Sequence, residues 1–295
     1  SSQDGSTMKV RGIQVHGESV QTAGVGNRAA INVIGVEKAE LGRGEVLIRG
    51  EELEPTSMLD VEMDVVHSLE KPIGKRSKAL VHVGTTQLVA TVILLGREEV
   101  LGGEKVFAQL RLEKPTIALA GERFVLRGFE VLANYGKTFA GGRILDPHPM
   151  KHKSNDAAVV QSLERMAGEN SATVLGELVR AGGEMEVTTQ TLWRRSTLGL
   201  KALQAALIQL EKDGIVDSIG GNQRAWLHRD GIARLHTKTL DALRVYHESY
   251  PARVGMPREE LRSRLRYGLE ADVMDSVLSP LLAEKTIRLE ADSFC

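Results

Sequence analysis

Three groups of cationic side chains have a spacing suited to a polyanion. Lys75, Arg76 and Lys78 cluster ahead of a strand-like run that carries His82. Arg194 and Arg195 stand just before a helical run, and Arg258, Arg262 and Arg266 recur every four residues, on one face of a helix. Guanidinium groups so placed could take phosphates bidentately. The competing reading is a solvated face held by intrahelical pairs, such as Glu259 or Glu260 with Arg264. In the last group that reading is strengthened by Glu270, Asp272 and Asp275, which follow it and would repel a phosphate backbone.

Signs of enzymatic chemistry are few. Gly136-Lys137-Thr138 has the end of a phosphate loop, but Val131 stands where that loop needs its first glycine. The chain is therefore not expected to bind GTP, and no catalytic residue is assigned. His148 and His152 are four apart among prolines and lysines, without a carboxylate triad, and read as solvated groups rather than metal ligands. His16 and His82 fall on strand-like runs. The one cysteine, Cys295, excludes a disulfide framework or zinc cluster within the chain. No cofactor or metal is expected here.

The elements that must position these groups change type midway. From Val10 to Leu47, apolar residues alternate (Val10, Ile13, Val15, then Ala29, Ile31, Val33) between glycine-punctuated turns, the pattern of short antiparallel strands. Further strands are expected over 58–66, 79–83, 88–94, 105–112, 123–126 and 137–144, with 88–95 apolar enough to be buried on both faces. This spacing predicts closed antiparallel β-barrels. After Asp146-Pro147-His148-Pro149 and a short basic linker, Lys151-His152-Lys153, the period becomes helical.

Helices are expected over 156–167 (capped by Ser154 or Asn155), 171–180 (capped by Ser171), 189–195 (capped by Thr188 or Thr189) and from a Ser196 or Thr197 cap to Gly214. The last has Leu200, Leu203, Leu207 and Leu210 facing inward, and a hairpin follows over 215–227. That order is a winged helix. It repeats: Leu210–Ile215 (LEKDGI) has a counterpart at Leu282–Ile287 (LAEKTI), after helices over 232–250, 258–266 and 270–284, the last expected to kink or split at Pro280. The domains are expected as a polar linker (1–7), part of one barrel (8–54), a second barrel (55–150) and winged helices over 151–229 and 230–295, the second read as cut short and the chain as a fragment.

Bulk composition restricts the function. The 295 residues are 42% hydrophobic and carry a formal net charge of -1. Residues 1–150 hold 18 basic and 19 acidic side chains and residues 151–295 hold 20 of each, so neither half is a generic nucleic-acid coater. No apolar run approaches the ~20 residues of a membrane span. The chain is read as soluble and cytoplasmic, without a membrane partner.

The motifs in order resemble a known family. R-G-I-Q-V-H-G (11–17), T-A-G-V-G-N-R-A-A-I-N-V (22–33) and L-G-R-G-E-V-L (41–47) are similar to the second barrel of translational GTPases. K-R-S-K-A-L-V-H-V-G-T-T (75–86) and G-G-R-I-L-D-P (141–147), then tandem winged helices, are similar to the bacterial selenocysteine-specific elongation factors. So is the stretch 243–262, with Tyr246-His247, Pro251, Gly255-Met256 and Glu260-Leu261-Arg262.

The resemblance implies GTP-dependent delivery of selenocysteinyl-tRNA to the ribosome at UGA codons marked by an mRNA hairpin. GTP with Mg and the hairpin reader would belong to parts of the parent protein outside this chain. It also implies a role for a basic strand residue near the aminoacyl end. Arg11 is the candidate, with His16 beside it in the motif, and Arg76, His82 and Thr85 are candidates for the tRNA backbone. Two other classes stay open, a winged-helix DNA regulator with barrel sensor domains and a structural adaptor. Duplex binding with a steep salt slope would distinguish the first.

Overall fold

The computed structural model describes residues 8–35, 42–48, 53–128, 137–168, 170–220, 225–266 and 268–295. The expected linker 1–7, Val131 and Gly136 lie outside them. Backbone contacts divide the chain into residues 1–160 and 161–295.

The first unit opens with a three-stranded antiparallel sheet, β1 (Lys9–Val15), β2 (Glu18–Val20) and β3 (Ala29–Ile34), in the order β2-β1-β3. Ile13 lies opposite both Val20 and Ile31, so the period-2 apolar residues share one face. His16 is not on a strand. With Gly17 it forms the two-residue turn between β1 and β2, where both have positive φ (52° and 86°), the conformation that matches hairpin twist.

A closed barrel follows, from β4 (Thr56–Val65), a small pair β5 (Ile73–Gly74) and β8 (Glu99–Val100), β6 (Arg76–Val83), β7 (Thr86–Leu94), β9 (Lys105–Thr116), β10 (Arg123–Arg127) and β11 (Thr138–Asp146). The wall runs β10-β11-β4-β9-β7-β6 and closes β6 on β10, which removes every edge. Leu59, Val61, Met63, Val92, Leu110, Phe124 and Leu126 fill the interior. At Gly142, on β11, a methyl group would stand 1.9 Å from the carbonyl oxygen of Glu62 on β4, so only glycine permits that strand spacing. Unbroken burial runs from Val92 in β7 to Leu95 just beyond it, whereas Leu88, Val89 and Thr91 are half-buried.

Next come α1 (Ala157–Met166), α2 (Ser171–Ala181), β12 (Val187–Thr188), α3 (Thr189–Arg195), α4 (Leu200–Lys212) and the hairpin β13 (Val216–Ile219) and β14 (Ala225–His228). The caps differ from expectation. Asp156 accepts from Ala158 N and Val159 N, and Asn170 from Ala172 N and Thr173 N, because a side chain one residue outside the first turn reaches those amides. Thr188 caps α3 as expected. α4 has Gly199 at its N-cap position with no side-chain cap, and Leu200 is 53% exposed while Leu203, Leu207 and Leu210 are buried. Trp226 anchors the core, its Nε1 donating to Thr189 Oγ1 at 3.0 Å.

The second winged helix has α5 (Arg229–Ser249), β15 (Met256–Pro257), α6 (Arg258–Leu265), α7 (Ala271–Ala283) and a wing of β16 (Leu289–Glu290) and β17 (Ser293–Phe294) that pairs back on β15. α7 runs through Pro280 in its last turn without splitting, although the proline has no amide to give the Ser276 carbonyl. α5 begins on the residue after β14, with His228 as its cap. Ile219 and Leu227 of the first module share one apolar cluster with Leu235, Leu243, Met274 and Leu278 of the second. At Gly231 a methyl group would lie 2.1 Å from the Gly183 carbonyl. The two modules are therefore fused through a common core.

Candidate nucleic-acid interface

Arg11 occupies a β-bulge. Val10 pairs with Val33 and Gly12 with Asn32, so Arg11 has no partner across the sheet. A bulge bends its strand and re-aims the extra side chain. Arg11 is exposed and lines a groove of about 480 Å³ with Gly12, Ile13, Gln14, Ala30 and Asn32. His16 is exposed at the far end of β1, five residues away, roughly 16 Å along an extended strand. The two do not form one site.

On the barrel, Arg76 and His82 lie on the outer face of β6, at opposite ends, and Thr85 is exposed in the turn to β7. Lys75 pairs with Glu98 at 2.5 Å and Lys78 with Glu113 at 3.3 Å. Among the described residues Arg76 has no such partner. His82 stands opposite Gln87 on β7 and Val125 on β10. Its Nε2 is shielded from solvent and makes no hydrogen bond among the described residues. Burial, then the charges of Arg127 and Arg43, hold the imidazole below its ordinary pKa, so it is neutral at pH 7.

Thr86 Oγ1 donates to the Gly44 carbonyl at 3.0 Å, which brings Arg43 to this end of the barrel. Sequence reading missed Arg43 and Arg127 as neighbours of His82. Only the closure of β6 on β10 and the docking of residues 42–48 bring them together.

The arginines singled out from residues 161–295 in the sequence are buried or tied to groups of the same unit. Arg195 is 8% exposed at the end of α3, and Arg194 is half-buried beside it. Arg258 pairs with Asp275 of α7. Arg262 donates to Glu259 Oε2 at 2.5 Å and to the Leu269 carbonyl. Arg266 is not on the helix face. It lies past the end of α6 with extended backbone and binds Glu186 Oε2 (2.8 Å) and the Glu184 carbonyl, its side chain only 12% exposed. The Glu260–Arg264 pair expected along α6 is present at 2.6 Å.

The exposed face of α4 carries Lys201, Gln204, Gln209 and Lys212, and that of α7 carries Asp272, Asp275, Ser276 and Ser279. Glu177, buried in α2, accepts from Arg165 Nε (2.6 Å) and Ser162 Oγ (2.8 Å). Burial opposes its charge, but these donors and Arg180 hold its pKa below the ordinary value.

His152 is not solvated. Its Nε2 lies 2.7 Å from Asp60 Oδ2. Among the described residues no group of three or more His, Cys, Asp or Glu could hold a metal ion, and no helix is long and apolar enough to cross a membrane.

A closed antiparallel β-barrel followed by fused winged helices, with exposed cations on the barrel side, defines the class: a multidomain protein of barrel and winged-helix modules. Comparison with known proteins makes it specific. Residues 60–151 match the family model "Selenocysteine-specific elongation factor, beta-barrel domain", and residues 240–294 match "Elongation factor SelB, winged helix". The chain is 31% identical over 290 residues to the selenocysteine-specific elongation factor of Desulfomicrobium baculatum, covering 98% of this chain and 45% of that protein.

It is 25% identical over 280 residues to that of Escherichia coli (strain K12), covering 94% and 41%. A crystal structure of a bacterial selenocysteine-specific elongation factor, EF-Sec, superposes with a TM-score of 0.68 at 19% identity, over 97% of this chain and 42% of that one. The chain thus spans less than half the length of these relatives. It belongs to the SelB family of selenocysteine-specific elongation factors.

Proposed function

We propose that this chain is the portion of a selenocysteine-specific elongation factor that holds selenocysteinyl-tRNA and carries the arm leading toward the ribosome-bound mRNA hairpin, in the cytoplasm. The order of parts, barrel strands and then fused winged helices, aligned over 98% of the chain with a relative so named, carries this reading. A selenol is ionised at neutral pH and an arginine keeps its charge there, so a guanidinium at the aminoacyl end favours selenocysteine over serine. Arg11, exposed on a bulge beside a groove, suits that role. Arg43 and Arg76 at the outer face of β6 would meet tRNA phosphates, with neutral His82 and the Thr85 hydroxyl as hydrogen-bonding neighbours.

The winged helices act in this reading as a stiff spacer. Their shared core and the Arg266–Glu186 pair support it. A duplex-DNA regulator is disfavoured by the acidic exposed face of α7. Thr138 opens barrel strand β11, whereas the threonine of a phosphate loop opens a helix. The test is binding of selenocysteinyl-tRNA and seryl-tRNA to the complete protein. The reading requires a preference for the first that Arg11→Ala reduces. Equal binding of both by the unmodified protein would end it.

A further inference from the structure

The outer wall of a barrel normally meets water, yet Asp60 on β4 is 2% exposed and Gln109, paired with it on β9, is 0% exposed. The segment after β11 covers them. Gln109 Nε2 donates to Asp60 Oδ1 at 3.0 Å and to the Met150 carbonyl at 2.9 Å. Its Oε1 accepts from Arg111 Nε at 3.1 Å and from the His152 amide at 3.4 Å. All four hydrogen-bonding positions of that amide are used. Arg111 also donates to the His152 carbonyl at 3.1 Å, and the Gly96 amide donates to the Ser154 carbonyl at 2.6 Å. The His152 ring completes the set on Asp60 Oδ2.

We propose that residues 147–154 form a strap latched to the barrel wall by Asp60, Gln109 and Arg111, and that protonation of His152 tightens the latch. Three carboxylates act on the His152 ring, Asp60 from β4, Asp146 from the end of β11 and Asp156 from the start of α1. The guanidinium of Arg111 is spent on the strap carbonyl, and Lys151 and Lys153 are exposed. Burial works against the imidazolium, but the hydrogen bond and charge of Asp60, with Asp146 and Asp156, outweigh it and raise the His152 pKa above its ordinary 6.5.

Asp60 is itself raised, first by burial and also by Asp146, although His152 and Gln109 oppose this. Both shifts have the same sign. A raised pKa in the closed form gives a contribution fully present below the open-form pKa and lost as pH rises through the closed-form pKa. Because the neutral ring can still donate to Asp60, the strap loosens at alkaline pH rather than dissociating.

The test uses the chain with all its domains and two independent readouts. NMR gives the His152 pKa, and hydrogen exchange of residues 147–154, corrected for intrinsic exchange, gives the opening equilibrium from about pH 6 to about pH 9. Each pH unit of elevation over 6.5 must appear as about a tenfold increase in opening across that range. Asp60→Asn should return the ring toward its ordinary value and make opening faster and flat with pH. His152→Gln, a change on the strap that leaves the wall intact, should also abolish the pH dependence while β7 and β9 stay protected. It carries the test should Asp60→Asn fail to fold. Opening independent of pH in the unmodified chain, or a pH dependence that survives His152→Gln, would overturn the proposal.

Discussion

Residues 1–150 and 151–295 hold nearly equal numbers of basic and acidic side chains, yet the two regions spend them differently. In the winged helices many cations go to carboxylates of the same body: Arg165 and Arg180 to Glu177, Lys238 to Glu184, Arg266 to Glu186, Arg258 to Asp275, with Arg229 and Arg288 as exceptions among the described residues. The barrel side pairs many of its own, such as Arg143 with Glu62, but leaves Arg11, Arg43 and Arg76 without a carboxylate among the described residues. An arginine is open to phosphate only where the fold has not already supplied an acid. Spacing along a helix does not reveal this. Arg258, Arg262 and Arg266 look like a cationic stripe in sequence and are three separate internal ties in the structure.

The contrast can be broken by substitution. The largest effect is expected at Glu177. Glu177→Ala leaves Arg165 and Arg180 without their buried acceptor and should cost about 3 kcal/mol in denaturant unfolding of the helical part. Arg266→Ala follows, at about 2 kcal/mol, because Glu186 and the Glu184 carbonyl lose a largely buried donor. Arg11→Ala should change stability by less than about 0.5 kcal/mol. On the binding side, Arg43→Ala and Arg76→Ala should each reduce the salt slope of tRNA binding by about one.

Titration sharpens the same contrast. Glu177 and His228 both have depressed pKa values. Donors to the carboxylate outweigh burial at Glu177, and burial followed by the Arg180 charge acts at His228. Their contributions are present above the ordinary values and are lost as pH falls through the folded ones. The helical part should therefore lose stability in acid, first from His228 below about pH 6.5 and then from Glu177 below about pH 4.5, whereas the strap at His152 loosens in alkali. Thermal melts followed by helix signal across pH would check this. The smallest effect is expected at the surface pair Glu260–Arg264, where Arg264→Ala should cost about 0.4 kcal/mol.

Much of the architecture was readable because it rests on local patterns. Alternating apolar residues bounded by glycines place the six wall strands of the barrel to within a few residues, and the shift to helical periodicity at the Asp-Pro-His-Pro stretch marks the change of fold. What could not be read depends on contacts between distant residues. Arg266 meets Glu186 across 80 positions, and His152 meets Asp60 across 92. Caps were misplaced by a residue or two because Ser154, Asn155 and Asp156, or Asn170 and Ser171, are all able caps, and the backbone decides among them. Arg11 was named from its motif, but the bulge that frees it from cross-strand pairing is visible only in the register.

The most direct measurement is the ratio of selenocysteinyl-tRNA to seryl-tRNA affinity for the complete protein, for Arg11→Ala and Arg262→Ala beside the unmodified form. A charge-assisted contact to the selenolate predicts that Arg11→Ala lowers the ratio by about tenfold or more, and that Arg262→Ala, already tied to Glu259, leaves it unchanged. A ratio unaffected by Arg11→Ala, with tRNA binding lost in Arg262→Ala, would contradict the division of labour between barrel and arm.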